Sequence, residues 1–541
     1  MPMNPNPDPG LPTTRTRGAD RVLVDVVRST PVEVALRRLW SRIAVSIVLL
    51  LLLLIVLALV RRFTIDQPVT YKTEAEHFLY GSIGSEPGGS LLSPVGGMLP
   101  PFQIMAVLPE MFPDKLPGGY ASLGLIYENG PDGKPRDLPI GLSRRHRLGM
   151  EMVGLNCAVC HVGTYRTSAG TPRRIVPGMP AHQLDLQGLF AFVLDVVSDP
   201  RFTADNVIGH IEAKFGPMNR FDRFVLGTAI IPQVQRQTLT LRSRVGILFQ
   251  PTAAVWGPGR VDTFNPYKSL QFGWSLERLP KRELVAASDF PALWNQAPRQ
   301  GLNLHWDGNN SSLDERNLSA GLGAGITPVT VDRSGIARVK SYILDLPPPK
   351  WPESPEMPLD HAAAGRGAGI FRSYCAECHD FSGKYIGTVV PWEKIRTDRA
   401  RFDSYTLEFS ANQNTLFPNS TNRFRSFKKT VGYANQPLDG IWARAPYLHN
   451  GSVPSLRDLL EPSSHRPKQF YRGCDIYDPA RVGFVDQVAQ ENGHAYFLYR
   501  SRLEDGTPVD GNSNEGHEGE LYGTELSLAE KHDLIEYLKT L

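Results

Sequence analysis

The sequence predicts a mainly α-helical chain in which one N-terminal transmembrane helix precedes two domains with long loop insertions, each built around one Cys-x-x-Cys-His string. Three observations predict it. The strings Cys157-Ala158-Val159-Cys160-His161 and Cys375-Ala376-Glu377-Cys378-His379 use four of the five cysteines. An uncharged run, IAVSIVLLLLLLIVLALV, fills residues 43–60. A proline-rich segment, LPPPKWPESPEMPLD, lies between the two strings at 346–360.

The strings carry the chemistry. Two thiols separated by two residues can each bond one vinyl group of a porphyrin while the adjoining imidazole reaches the iron, so Cys157, Cys160, Cys375 and Cys378 read as attachment points for two covalent c-type haems, with His161 and His379 as proximal ligands. Zinc would place a second Cys pair about 15–20 residues on; here the pairs lie about 218 residues apart. A thioredoxin-like redox pair would sit beside a βαβ pattern, and neither string is expected to have strong flanking strands.

The 541 residues are 41% hydrophobic and 21% charged, as in a folded protein with two or three cores, and a net charge of +3 with no basic run interleaved with aromatics argues against nucleic acid as a partner. The run at 43–60 is long enough as a helix to cross a hydrocarbon core. Arg37, Arg38 and Arg42 precede it, Arg61 and Arg62 follow, and no small-residue cleavage site ends it, so it reads as an uncleaved inner-membrane anchor. The denser positive charge before it predicts a cytoplasmic N-terminus and periplasmic haem domains.

Taken in order, residues 1–42 are an expected disordered cytoplasmic tail, and 61–346 a first haem domain whose Gly- and Pro-rich lead-in, 61–135, is expected to run as loops. Apolar spacing predicts helices over 184–198, 204–214 and 333–346, the last stopped by Pro347-Pro348-Pro349. Residues 347–357 are a semi-rigid proline-rich linker, and 358–541 a C-terminal domain. That domain opens with the helix HAAAGRGAGIFRSY and closes with SLAEKHDLIEYLKTL, whose Leu528, Leu534, Ile535 and Leu538 share a face. A helix before the attachment string and an amphipathic helix at the end resemble the class I cytochrome c fold, where the two helices cross; residues 383–526 are then an insertion of loops and short helices. Cys474 has no partner and reads as a small buried apolar residue.

The string IWARAPYLHNGSVPSL at 441–456 resembles the bacterial di-haem cytochrome c peroxidase and methylamine-utilisation maturase superfamily, in particular its rubber-oxygenase-like branch. The resemblance implies two cytochrome c-like haem domains, with His449 as the distal ligand paired with His379. His305-Trp306-Asp307-Gly308 is similar to the same superfamily's Trp-Asp-Gly segment, which implies Trp306 as an electron conductor between the haems and His305 as a neighbour of the first haem. Calcium is a further cofactor that some members hold, although no EF-hand-like acidic loop is present. One departure matters: where the peroxidases have a glutamine beside their glutamate, this chain has Arg316 beside Glu315, followed by SAGLGAGITPVT without an acid.

The sixth ligand of the first haem is left open between Met179, which would make an electron-transfer site, His182, His146, and an empty position that would admit dioxygen or peroxide. Arg144, Arg145, Arg173 and Arg174 are the candidates for haem propionates. The functional expectation is a membrane-anchored di-haem oxidoreductase that takes electrons from a small redox protein or a quinol-linked chain and delivers them to a small oxidant at the N-terminal haem. The alternative is a non-catalytic electron carrier with both haems six-coordinate.

Overall fold

The computed structural model describes residues 30–84, 101–130, 133–147, 149–418, 420–421 and 423–541; most of the expected tail, and the Gly- and Pro-rich positions 85–100, lie outside these. The chain divides after Phe63 into two units. The first carries the helix Pro31–Thr64, none of whose residues is buried; by length and composition it is a candidate membrane span or a signal sequence.

In the second unit the lead-in is more regular than its glycine content suggests. Helix Glu74–Tyr80 is capped by the Thr73 hydroxyl, which accepts from the Glu76 amide, and helix Phe102–Met111 buries Phe102, Ile104, Met105 and Leu108 in the largest hydrophobic cluster. Burial of an apolar face overrides the local turn signals here. Strands Asp66–Pro68, Leu142–Arg147 and Met150–Leu155 form an antiparallel sheet. The first Cys-x-x-Cys-His string follows Met150–Leu155 directly and precedes strand Val162–Tyr165, which pairs with Arg174–Pro177. Strands therefore do flank it, contrary to expectation.

The expected helices form with short polar caps. Leu186–Val196, Ala204–Phe215 and Arg333–Leu344 start where Asp185, Thr203 and Asp332 accept from backbone amides. The last ends ahead of Pro347, whose ring and missing N–H stop a helix.

Helix His361–Tyr374, capped by Asp360, leads into the second string and packs along helix Leu528–Leu538, which a Ser527/Glu530 capping box opens. The approach is close at Gly367, where a Cβ would lie 1.9 Å from the Asp533 carbonyl oxygen, so only glycine fits. Arg366 clamps Asp533 at 2.6 Å, and the Phe371 and Tyr537 rings meet at 5.2 Å. Leu534, Ile535 and Leu538 are buried as expected; Leu528 is 74% exposed, since the first residue of the helix overhangs its partner.

The proline-rich linker is part of the core. Trp351 and Met357 are buried in one cluster with Tyr165, Met179 and Trp294 from before the linker and Phe371, Trp442 and Leu534 from after it. The Trp351 indole donates to the Met357 carbonyl (3.0 Å) and the Trp442 indole to that of Pro349 (2.8 Å). Further along, Arg166 pairs with Asp475 and Glu491, and the Tyr477 amide donates to the Arg166 carbonyl at 2.8 Å. Residues 64–541 are thus one compact unit.

Candidate functional site

The first string is held by its neighbours. The Asn156 side chain accepts from the Ala158 amide at 2.9 Å and donates to the Gly81 carbonyl at 3.0 Å, while Gly141, at φ +90°, leaves room for Val159 that a side chain would fill. His161 Nδ1 lies 2.8 Å from the Pro291 carbonyl. A carbonyl only accepts, so Nδ1 carries the proton and the Nε2 lone pair is free for a metal. Burial, against the Pro291 bond, pushes the His161 pKa down to about 4 and keeps the ring neutral.

Cys157, Cys160 and His161 line a cavity of about 290 Å³. His305 and Trp306 line it too, as do Phe290, Arg316 and Asn317. His305 sits at φ +64° with Nδ1 2.5 Å from Asn309 Oδ1, and burial lowers its pKa to about 4. The Trp306 indole donates to the Asp289 carbonyl at 2.8 Å, two residues from the carbonyl that holds His161; the Asp289 amide in turn donates to the His449 carbonyl.

The second string repeats the arrangement. His379 Nδ1 lies 2.8 Å from the Gln436 carbonyl, and Gln436 lines the first cavity. The ring beside His379 is the imidazole of His517, with centroids 6.2 Å apart and planes tilted by 46°. Two imidazoles on opposite sides of one metal, each bonded at about 2 Å, require a centroid separation of roughly 6 Å. Arg466 fixes the His517 loop by donating to the carbonyls of Asn514, Gly516 and His517.

Several expected site residues stand elsewhere. His449 is buried with its ring stacked on that of Tyr433 at 3.9 Å, and the ring beside His379 is that of His517. Met179 is fully buried beneath strand Val162–Tyr165, its sulfur 3.0 Å from where a Cβ on Gly163 would lie, and it packs in the linker cluster without lining the cavity. His182 stacks on Phe484 at 3.6 Å, and both its ring nitrogens are buried without a partner. His146 is exposed on its strand. Arg144, Arg145 and Arg173 are engaged with carboxylates, and Arg174 is exposed. Among the described residues no cluster of three or more His, Cys, Asp or Glu side chains is arranged for a metal such as calcium.

The arginines at the cavity are instead Arg299, Arg316, Arg401 and Arg444. Arg299 and Arg444 share Asp439, at 2.5 and 2.7 Å, and Arg401 pairs with Asp307 at 3.0 Å. Arg316 has no carboxylate partner among the described residues; it donates to Gln296 and, at 2.8 Å, to Asn317. Burial and Arg299 lower its pKa to about 10, so it stays charged at neutral pH.

Residues 432–472 match the RoxA-like, cytochrome c-like family. A domain of that kind implies covalently bound haem, and the matched segment holds Gln436, Asp439, Arg444 and His449. The uncharacterized proteins y4iM and y4iJ of Sinorhizobium fredii (strain NBRC 101917 / NGR234) are similar to the chain. The first is 32% identical over 47% of this chain and 64% of its own length, the second 25% identical over 72% and 77%. The chain therefore spans less than two thirds of y4iM.

Proposed function

We propose that the protein is a di-haem c-type cytochrome with two unlike iron sites: a C-terminal haem closed by His379 and His517, which holds and passes electrons, and an N-terminal haem on His161 whose other side is open to a small oxidant. The observation that carries this reading is the contrast between the two strings: the His379 ring has a second imidazole, His517, with its centroid 6.2 Å away, whereas the His161 ring meets the apolar ring of Phe290 at 6.4 Å.

The residues fit the group. Each string presents two thiols and an imidazole whose Nδ1–H is spent on a backbone carbonyl, a bond that fixes ring orientation and raises the basicity of Nε2. Haem iron supplies one-electron chemistry and a coordination position. The protein's part is placement. The Pro291 carbonyl orients His161, the Gln436 carbonyl orients His379, and Trp306 lines the first cavity, its indole fixed by the Asp289 carbonyl. Apolar neighbours such as Phe290 limit water in the cavity.

One observation favours the alternative carrier: His305 lines the same cavity with Nδ1 tied to Asn309, which leaves its Nε2 available to an iron. Carbon monoxide separates the two readings. The ferrous protein should bind one carbon monoxide per chain at the N-terminal haem, and His161→Ala should abolish that signal while the C-terminal haem's spectrum persists. A ferrous protein that binds none, with no high-spin iron in the ferric state, would establish the carrier instead.

Attachment to the inner membrane through residues 43–60, with the haems on the periplasmic side and a small redox protein or quinol-linked chain as donor, belongs to the same proposal; the long apolar helix supports it. Fractionation with and without alkaline washing, and protease access in spheroplasts, test the anchor and its orientation.

A further inference from the structure

The four cavity arginines are unlike in one respect. Arg401 pairs with Asp307, and Arg299 and Arg444 share Asp439, so each of the three has a carboxylate within 3.0 Å, although the two that share Asp439 keep one positive charge over. Arg316 has only neutral partners, the side-chain oxygens of Gln296 and Asn317, and its Nη1 donates to nothing among the described residues. A half-buried cation without a counter-charge beside it is costly, and an anion in the cavity would complete it.

Arg316 stands on helix Leu313–Gly323, whose Asn317, Ser319 and Ala320 also line the cavity. Cys157, Cys160, His161 and His305 line that same cavity. A guanidinium on the cavity wall with an N–H edge left over is sited to meet an anion in that cavity.

We propose that Arg316 is the anion-recognising residue of the N-terminal haem site, its free guanidinium edge donating hydrogen bonds to the negatively charged atom of a small inorganic ligand or oxidant in the cavity. This deepens the reading of an open N-terminal haem and rests on it. The planar fork of arginine suits the task better than a lysine point charge, and Gln296 and Asn317 hold it in one orientation.

Fluoride is the probe, because its high-spin ferric complex is read optically and is stabilised by a hydrogen-bond donor. The full-length protein, carrying both covalent haems, should bind fluoride at one iron. Arg316→Gln and Arg316→Leu should weaken that binding about tenfold or more, the value of a charge-assisted hydrogen bond, and Arg316→Lys should weaken it less. The unchanged low-spin spectrum of the second haem reports that each variant is folded; should the leucine variant fail to mature, the glutamine and lysine variants decide. Equal fluoride affinity in wild type and variants would overturn the assignment of Arg316 while leaving the open haem intact. A wild-type protein that takes no fluoride and no carbon monoxide would overturn the open-site reading, and this inference with it.

Discussion

The imidazoles of His379 and His517 lie with ring centroids 6.2 Å apart, although 138 positions of sequence separate them. His517→Ala should therefore convert the C-terminal haem from a low-spin to a high-spin ferric signal in electron paramagnetic resonance, whereas His449→Ala should leave it low-spin. The opposite pattern would restore the pairing expected from the Ala-Pro-Tyr-Leu-His string.

Covalent haem content should follow the cysteines. The wild type should give two haems per chain in the alkaline pyridine assay, and each of the double variants Cys157→Ala/Cys160→Ala and Cys375→Ala/Cys378→Ala should give one. Two haems retained in either variant would mean that the strings do not anchor them.

The close approach at Gly367 predicts a packing penalty. Gly367→Ala sets a methyl 1.9 Å from the Asp533 carbonyl oxygen, and separating the helices should cost about 1–3 kcal/mol or more, read as a lower unfolding midpoint in urea. Gly365→Ala, on the same helix but with nothing within 4 Å of its Cβ, should be neutral or slightly stabilising.

Asp307 and Arg401 form a buried pair at 3.0 Å beside Trp306. Asp307→Ala leaves an unpaired guanidinium in the interior and should cost about 3–5 kcal/mol; Asp307→Ala/Arg401→Met should recover much of it. A double variant no more stable than the single one would show that the pair's value lies in its hydrogen bonds to the surroundings, such as Arg401 to Ser288.

Acid should destabilise the fold through His182. Burial, which outweighs the opposing pull of Asp475, lowers its pKa from 6.5 to about 4. The native ring is neutral, and the unfolded chain takes up the proton first as pH falls. Stability from this residue is therefore complete above about pH 6.5 and declines until about pH 4, by roughly 3 kcal/mol in all. His182→Phe should flatten the measured slope of stability against pH in that window.

The sequence made the chemistry legible and much of its geometry illegible. Cys157, Cys160, His161, Cys375, Cys378 and His379 stand out because each set of two thiols and an imidazole is adjacent in the chain. The helices at 184–198, 204–214 and 333–346 were readable because their apolar spacing and polar caps are local. His517 was not: it sits in the polar loop NSNEGHEGELYG, and only tertiary folding carries it to His379. Met179 and His182 were attractive for their nearness in sequence to the first string, yet strand pairing at Val162–Tyr165 turns the methionine into the core. Arg316 was noticed as a departure from a family pattern, but its lack of a carboxylate became visible only beside Arg299, Arg401 and Arg444.

The packing of Trp351 and Met357 has a bearing on biogenesis. A nascent chain that has emerged only as far as residue 346 has neither those side chains to cover Met179 and Trp294 nor Asp475 to neutralise Arg166. Any group joined to Cys157 and Cys160 at that stage would meet an unfinished scaffold, and the cavity would take its final shape only once the last helix had arrived.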